Sequence, residues 1–189
     1  MVATISNMQE LGTKRPEFAL PDMVGGGKIN SNDFAAKPML VMFICNHCPY
    51  VVHLIQELSV LANEYQKKGV SVFAISSNDV QNYPQDGPTQ MALFAQQHGF
   101  EFAYCYDQSQ QVAKDFGAAC TPDFFVYDAA HRLAYRGQMD DSRPSNNLPV
   151  SGSDLKAALD AVLSEEKPLD KQVASVGCNI KWKPVLSEV

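Results

Sequence analysis

The sequence of 189 residues predicts one α/β domain, residues 1–189, with a mixed central sheet flanked by helices. Three observations lead to this prediction. A continuous apolar run at 39–44 precedes an amphipathic helix and a second apolar run, which is the order of a parallel strand–helix–strand unit. Residues 124–136 have the pattern of an antiparallel hairpin, and a last amphipathic helix follows them. A sheet that contains both units has parallel and antiparallel neighbours.

The first elements are two short strands in the N-terminal hairpin region, residues 1–36. In the stretch "RPEFALPDMVGGGKINSNDF", Phe18 and Leu20 alternate with polar neighbours. The glycines at 25–27 permit the backbone angles of a tight reversal between the two strands.

The next segment predicts a buried strand and then a helix. The short apolar run at 39–44 suits a strand that is covered on both faces. The helix after it ends at Lys67, Lys68 and Gly69, where cations and a glycine suit a helix C-terminus. Its inward face carries apolar side chains at three- and four-residue spacing, namely Val51, Leu54, Ile55, Leu58, Leu61, Ala62 and Tyr65.

The remaining elements alternate in type. In chain order they are a strand at 70–76, a helix at 89–98, a strand at 100–107, a helix at 109–117, a hairpin at 124–136 and a helix at 154–163. The C-terminal extension, residues 165–189, carries Cys178 and Trp182 but no periodicity that assigns an element.

Composition narrows the classes of partner. A net charge of −6 argues against nucleic acid or an anionic membrane surface as a partner. No stretch has the length of a membrane span, and the N-terminus lacks the basic and apolar regions of a secretory signal. We therefore expect a cytoplasmic protein. Five cysteines are an odd number, which does not suit a disulfide framework.

The stretch "FICNHCPY" contains the candidate redox site, a pair of cysteines three residues apart. Pro49 is tolerated only in the first turn of a helix, so we expect the helix to begin around Asn46 to Cys48. Cys45 then lies at or just before the helix N-terminus, where the dipole favours a thiolate and lowers the cysteine pKa. Cys48 lies one turn further on, within disulfide range.

His47 lies between the two cysteines. A protonated imidazole there stabilises the Cys45 thiolate and makes the disulfide easier to reduce. The alternative is a solvated histidine at the edge of a loop.

A metal site is the main structural alternative for the cysteine pair. A closed zinc site usually takes four ligands and this pair supplies two, while the chain has no second pair of this spacing. Cys120, with His47 or His53, completes a site only if the fold brings it close. A metal carrier that uses Cys45, Cys48 and Cys120 is therefore a less favoured hypothesis.

The other cysteines have different surroundings in the sequence. Cys105 alternates with aromatic residues and is expected to pack in the core. Cys120 directly precedes Thr121 and either borders the dithiol or turns inward as a core thiol. Cys178 either docks near the site or packs with Trp182, and we expect packing.

A dithiol at a helix start, followed much later by Thr121-Pro122 ahead of a strand, resembles the thioredoxin superfamily. The stretches "CNHCPYV", "SSNDVQNYPQDGP", "CTPDFFVYD", "YRGQMDDSRP" and "GCNIKWKP" are similar to bacterial thioredoxin-like proteins grouped with the redoxin, or alkyl hydroperoxide reductase/thiol-specific antioxidant, family. The resemblance covers nearly the whole chain and implies a thioredoxin-like fold.

The resemblance implies a thiol-disulfide oxidoreductase that belongs to cell redox homeostasis. Cys45 is expected to attack a substrate disulfide, and Cys48 to resolve the mixed disulfide. Thr121 and a cis Pro122 are expected to face the dithiol, with Pro122 shaping the surface that receives the substrate backbone. No bound cofactor is expected, because the electrons come from a thiol reductant system. The expected substrate is a protein or small molecule that contains a disulfide.

A peroxiredoxin-like peroxidase with antioxidant activity is the alternative. Peroxiredoxins carry a Thr-x-x-Cys pattern, often with proline next, and Cys48-Pro49 fits that cysteine while Cys45 stands where threonine is expected. The arginine that peroxiredoxins place near the proline loop is missing, and we expect Arg132 and Arg136 to be surface charges.

Overall fold

The computed structural model describes residues 3–168 and 170–184, and its central layer is a five-stranded sheet. The strands, in chain order, are β1 (Ala3–Ile5), β2 (Ala19–Pro21), β3 (Lys28–Asn30), β4 (Met39–Phe43), β5 (Ser71–Ser76), β6 (Ala103–Tyr106), β7 (Cys120–Thr121), β8 (Asp123–Tyr127), β9 (Leu133–Gly137) and β10 (Val176–Asn179). The helices are α1 (Pro49–Lys67), α2 (Pro88–Gln97), α3 (Gln111–Asp115) and α4 (Ser153–Leu163).

The central sheet is mixed, as the sequence predicts. Its strand order is β6-β5-β4-β8-β9. Strands β4, β5 and β6 run parallel to one another, while β8 runs antiparallel to both β4 and β9. With a dithiol after the central strand β4 and a cis proline before β8, the fold is thioredoxin-like, which confirms the predicted fold class.

Strand β4 is fully buried because apolar clusters cover both faces of the sheet. Leu40 and Met42 face a cluster that also contains residues of α1 and α4. Met39, Val41 and Phe43 face a second cluster, which contains residues of α3 and the N-terminal region. Alternate side chains of a strand point to opposite faces, so coverage on both sides requires an uninterrupted apolar run.

The predicted N-terminal hairpin is present as β2 and β3, which pair antiparallel. Gly26 and Gly27 both have φ of 74° in the connecting turn, a conformation that glycine adopts without steric cost.

The C-terminal extension, which the sequence left unassigned, adds a strand. β10 lies between β1 and β7 in a small antiparallel sheet. Before it, the chain runs beside β9, where the Gln138 amide donates to the Val173 carbonyl at 2.8 Å and Ser175 Oγ donates to the Gly137 carbonyl at 2.6 Å. The extension therefore joins the edge of the central sheet to the N-terminal strand.

Arg136 of β9 is fully buried, so the prediction that it is a surface charge is wrong. The extension covers the strand edge: Gln172 Oε1 accepts from the Arg136 amide at 2.8 Å. The side chain lies over the Phe125 ring and 3.6 Å from a carboxylate oxygen of Asp123. Arg132 is exposed, as predicted.

Within the described ranges, no helix is both long and apolar enough to cross a membrane.

Candidate active site

Strand β4 and helix α1 position the two cysteines of the predicted dithiol. Cys45 follows the end of β4, where the Ile44 amide still donates to the Ile75 carbonyl at 3.0 Å. Cys48 is the N-cap of α1, and Pro49 occupies the first turn. Both cysteines are thiols, with 1% and 0% exposure, so the surrounding residues control access to them.

Helix α1 begins one to three residues later than the sequence predicts. Proline is tolerated anywhere in the first turn, and here it takes the first helical position. The unpaired amides and the positive end of the helix dipole therefore act on Cys48 more directly than on Cys45.

Thr121 contacts both sulfurs of the dithiol. Its Oγ1 lies 3.5 Å from Cys45 Sγ, and its carbonyl oxygen accepts a hydrogen bond of 3.0 Å from Cys48 Sγ. The Thr121-Pro122 peptide bond is cis. The structure therefore brings Thr121 and Pro122 to the dithiol, as the resemblance implied.

The pKa values of the two thiols are shifted in opposite directions. Cys45 donates to Cys48, and contacts from Thr121, Cys178 and the Val51 amide add to this effect, so the pKa of Cys48 is lowered to about 5 although burial opposes ionisation. The same hydrogen bond raises the pKa of Cys45 well above its ordinary value, and burial acts in the same direction. The Thr121 carbonyl favours a protonated Cys48, but several donors outweigh it.

The prediction that Cys45 has the lower pKa is therefore wrong. The physical reason for the error is the position of the helix start. Cys48, not Cys45, occupies the N-cap, and the proton that the two thiols share rests on Cys45.

His47 lies beside the dithiol and is held by an acid that the sequence analysis missed. His47 Nδ1 is 4.0 Å from Cys45 Sγ but 2.7 Å from a carboxylate oxygen of Asp86, and its ring stacks on Tyr83. Asp86 is fully buried and also accepts from the Asn46 amide at 2.9 Å. The carboxylate pairs with the imidazole and raises the pKa of Cys45. It lies in a turn-rich stretch whose sequence gives no signal of this contact.

Cys120 does not share the contacts of the dithiol. Its sulfur is fully buried and points to the Pro122 carbonyl oxygen at 3.6 Å. Burial, followed by the nearby Asp123 carboxylate, raises the pKa of the Cys120 thiol. Of the two alternatives that the sequence left open for Cys120, the structure shows the thiol that is turned inward.

The metal-binding set Cys45, Cys48 and Cys120 is not formed. In the part of the chain that the structure describes, one group of three candidate ligands has its ligand atoms within 4.8 Å of one another, and it is Cys45, His47 and Asp86. Two of these three are already paired with each other.

Cys178 docks at the dithiol, so the expectation that it packs with Trp182 is wrong. It is 2% exposed and lies in the same apolar cluster as Cys45 and Cys48, whereas Trp182 is 40% exposed. Strand β10 places Cys178 opposite Thr121, and the Cys178 thiol interacts with Cys48 in the same apolar cluster. Burial and this contact raise the pKa of Cys178 to about 12.

Strand β10 also occupies the backbone edge next to Pro122. Cys178 and Asn179 pair with Thr121 and Cys120. The surface that was expected to receive a substrate backbone therefore already holds a strand of this chain. Cys105, in contrast, is fully buried in the other apolar cluster, as predicted.

Comparisons with known proteins identify the family of this chain. The model of the AhpC/TSA family matches residues 11–136. Peroxiredoxin Bcp of Escherichia coli K12 is 28% identical over 138 residues, which cover 68% of this chain and 79% of that protein. The thiol-disulfide oxidoreductase ResA of Bacillus thuringiensis is 24% identical over 127 residues, which cover 66% of this chain and 68% of that protein.

A solved structure matches the chain over most of its length. The crystal structure of an uncharacterized conserved protein from Geobacillus kaustophilus superposes with a TM-score of 0.95 and 48% identity, and it covers 98% of both chains.

Proposed function

Since this chain belongs to the AhpC/TSA family of thiol-based redox proteins, we propose that it is a thiol-disulfide oxidoreductase that uses Cys45 and Cys48. The observation that carries the proposal is the contact between the two sulfurs at a helix N-terminus, which lowers the pKa of Cys48 to about 5. A stabilised thiolate stabilises the reduced form of a dithiol and makes its disulfide a stronger oxidant. The favoured direction is therefore oxidation of a substrate dithiol.

The proposed reaction begins with a disulfide between Cys45 and Cys48. A substrate thiolate attacks Cys45 Sγ, a substrate–Cys45 disulfide forms, and Cys48 leaves as the thiolate. This orientation is favoured because the thiol of lower pKa is the better leaving group. A second substrate thiolate then attacks the substrate sulfur of the mixed disulfide, and Cys45 leaves and takes up a proton. Two electrons pass from the substrate dithiol to the protein.

The neighbours of the dithiol have positioning functions in this proposal. The Thr121 side chain supports the charged form of Cys48, and its Oγ1 contacts Cys45. The pair of His47 and Asp86 holds the segment between the cysteines through the Asn46 amide. A separate thiol-disulfide system restores the oxidised form, and no bound cofactor is needed.

Two assays on one set of variants test the proposal. The first measures disulfide formation in a reduced peptide dithiol by oxidised protein, and the second measures consumption of hydrogen peroxide with dithiothreitol as reductant. We expect oxidation of the peptide by wild type and Cys105→Ser, and loss of this activity in Cys45→Ser and Cys48→Ser. A wild-type protein that exchanges no disulfide with the peptide contradicts the proposal.

A peroxidase is the second candidate, favoured by the lowered pKa of Cys48 and by the similarity to Peroxiredoxin Bcp. In that reaction the Cys48 thiolate attacks one oxygen of hydrogen peroxide, the O–O bond breaks, a sulfenic acid forms, and the hydroxide that leaves takes up a proton to become water. Cys45 then condenses with the sulfenic acid and releases a second water. Rapid peroxide consumption, with a Cys48 sulfenic acid trapped in Cys45→Ser, favours this candidate.

A further inference from the structure

Strand β10 brings a third thiol into the redox site. Cys178 lies opposite Thr121 across the β10–β7 pairing, and Thr121 is the residue whose carbonyl oxygen accepts from Cys48 at 3.0 Å. Side chains of directly opposed residues share one face of a sheet, so Cys178 points to the same side as Thr121 Oγ1.

The backbone of β10 fits closely against the site. A Cβ atom at Gly177 would overlap the carbonyl oxygen of Thr121 and lie 2.6 Å from its carbonyl carbon. Only glycine permits this approach, and the approach seats Cys178 against Cys48. Cys48 therefore interacts with two thiols, Cys45 before the start of α1 and Cys178 on β10.

We propose that Cys178 is a third redox thiol that takes the disulfide from Cys45, so that the oxidised site alternates between a Cys45–Cys48 and a Cys48–Cys178 bond. This inference rests on the proposed function of the same dithiol. The geometry supports it, because Cys178 lies opposite Thr121, the Thr121 carbonyl accepts from Cys48, and all three cysteines lie in one apolar cluster.

The transfer is an isomerisation that needs no external oxidant. The Cys178 thiol loses its proton and attacks Cys48 Sγ of the Cys45–Cys48 disulfide. The Cys48–Cys178 bond forms as the Cys45–Cys48 bond breaks, and Cys45 leaves as a thiolate that takes up the proton. The number of disulfides is one before and after the step.

This step changes what the oxidised protein presents to a substrate. In the Cys45–Cys48 form, Cys45 is the sulfur that a substrate thiolate attacks. In the Cys48–Cys178 form, Cys45 is a thiol and the disulfide ties β10 to the start of α1. In the second form the protein therefore stays oxidised, but its disulfide lies between β10 and α1 and not at Cys45.

Disulfide mapping of the full-length protein tests the inference. Wild type and Cys45→Ser are oxidised with diamide, quenched in acid, alkylated in denaturant and digested without reduction. We expect a Cys48–Cys178 peptide in Cys45→Ser, and its loss in Cys45→Ser/Cys178→Ala. The matched control Cys45→Ser/Cys120→Ala should keep it, because Cys120 points to the Pro122 carbonyl oxygen. In wild type we expect a fraction of oxidised molecules with this crosslink and an alkylated Cys45.

The same digests separate failure of the inference from failure of the proposed function. One result overturns the inference and makes Cys178 a packing residue. In that result, Cys48 of Cys45→Ser gives only intermolecular disulfides or a sulfenic acid, and Cys178 is alkylated in every oxidised wild-type molecule. The Cys45–Cys48 disulfide is measured independently in Cys178→Ala. Its absence there, together with no disulfide exchange by wild type, contradicts the proposed function.

Discussion

Interactions with neighbouring groups stabilise the charged form of Cys48, whereas the pKa of Cys45 is raised well above its ordinary value. Contacts with Cys45, Thr121 and Cys178 overcome the cost of burying a charge, and they lower the pKa of Cys48 to about 5. A cysteine without such contacts has a pKa of about 8.5. The acidity of this site therefore depends on groups from three separate parts of the chain.

The acidity predicts the thiolate content of the reduced protein as a function of pH. The ultraviolet absorbance of thiolate should rise as pH increases through about 5, because Cys48 ionises there. We expect Cys48→Ser to lose this rise and Cys105→Ser to keep it, since burial raises the pKa of Cys105 to about 12. A rise that disappears in Cys45→Ser and persists in Cys48→Ser would instead assign the thiolate to Cys45.

Sequence alone located the dithiol and the Thr121-Pro122 pair, because both have local signatures. It did not find Asp86, whose contacts with Asn46 and His47 depend on how a turn-rich stretch folds back onto the start of α1. It also reversed the order of acidity, because a proline in the first turn does not fix which residue caps the helix.

At the scale of elements, β10 is the feature that the sequence left unassigned. It has four residues, and its hydrogen bonds are with β1, near the N-terminus, and with the two-residue strand β7. A strand so short shows no periodicity, and its pairing is set by distant parts of the chain. The longer elements, such as β4 and α1, were predictable because their apolar patterns extend over whole faces.

The close approach of β10 to β7 predicts the effect of adding one methyl group. Gly177→Ala would force the alanine Cβ into the Thr121 carbonyl and displace the strand. We expect a loss of about 1–3 kcal/mol in the free energy of unfolding, measured with urea, and faster labelling of Cys178 in the native protein. The control Gly27→Ala meets no atom within 4 Å but has φ of 74°. It should lose about 1 kcal/mol from backbone strain and leave the labelling of Cys178 unchanged.

An unchanged labelling rate in Gly177→Ala, with no larger loss than in the control, would show that β10 accommodates the methyl group. The close contact with Thr121 would then not position Cys178.

At the scale of the whole molecule, the buried residues Arg136 and Asp123 lie where the C-terminal extension covers the edge of the sheet. Arg136 and Asp123 are both fully buried, and their nearest charged atoms are 3.6 Å apart. That separation is too long for a hydrogen bond. Sequence placed Arg136 on the surface, because nothing local in β9 indicates that residues 172–175 cover its edge.

The pair predicts how stability depends on pH. Burial raises the pKa of Asp123 to about 7, although Arg136 opposes this shift. Between about pH 4 and pH 7 the native state keeps a proton that the unfolded chain has released, so this residue's contribution to stability falls as pH rises. In Asp123→Asn that loss is absent, and the variant should gain roughly 1–4 kcal/mol relative to wild type over this range.

Urea unfolding of both proteins at several pH values measures this difference. The exposed control Asp33→Asn should show no such gain. If Asp123→Asn loses stability relative to wild type as pH rises, attraction to Arg136 exceeds the cost of burial and the carboxyl is ionised throughout.

The position of β10 at the end of the described chain has a consequence for the protein as it is made. Synthesis runs from the N-terminus, so β4, α1 and the Thr121-Pro122 segment exist before residues 176–179 do. A growing chain thus holds Cys45 and Cys48 before β10 has been made. An oxidant that reaches the nascent protein therefore meets Cys45 and Cys48 in the absence of Cys178, whereas in the finished protein Cys178 lies beside them.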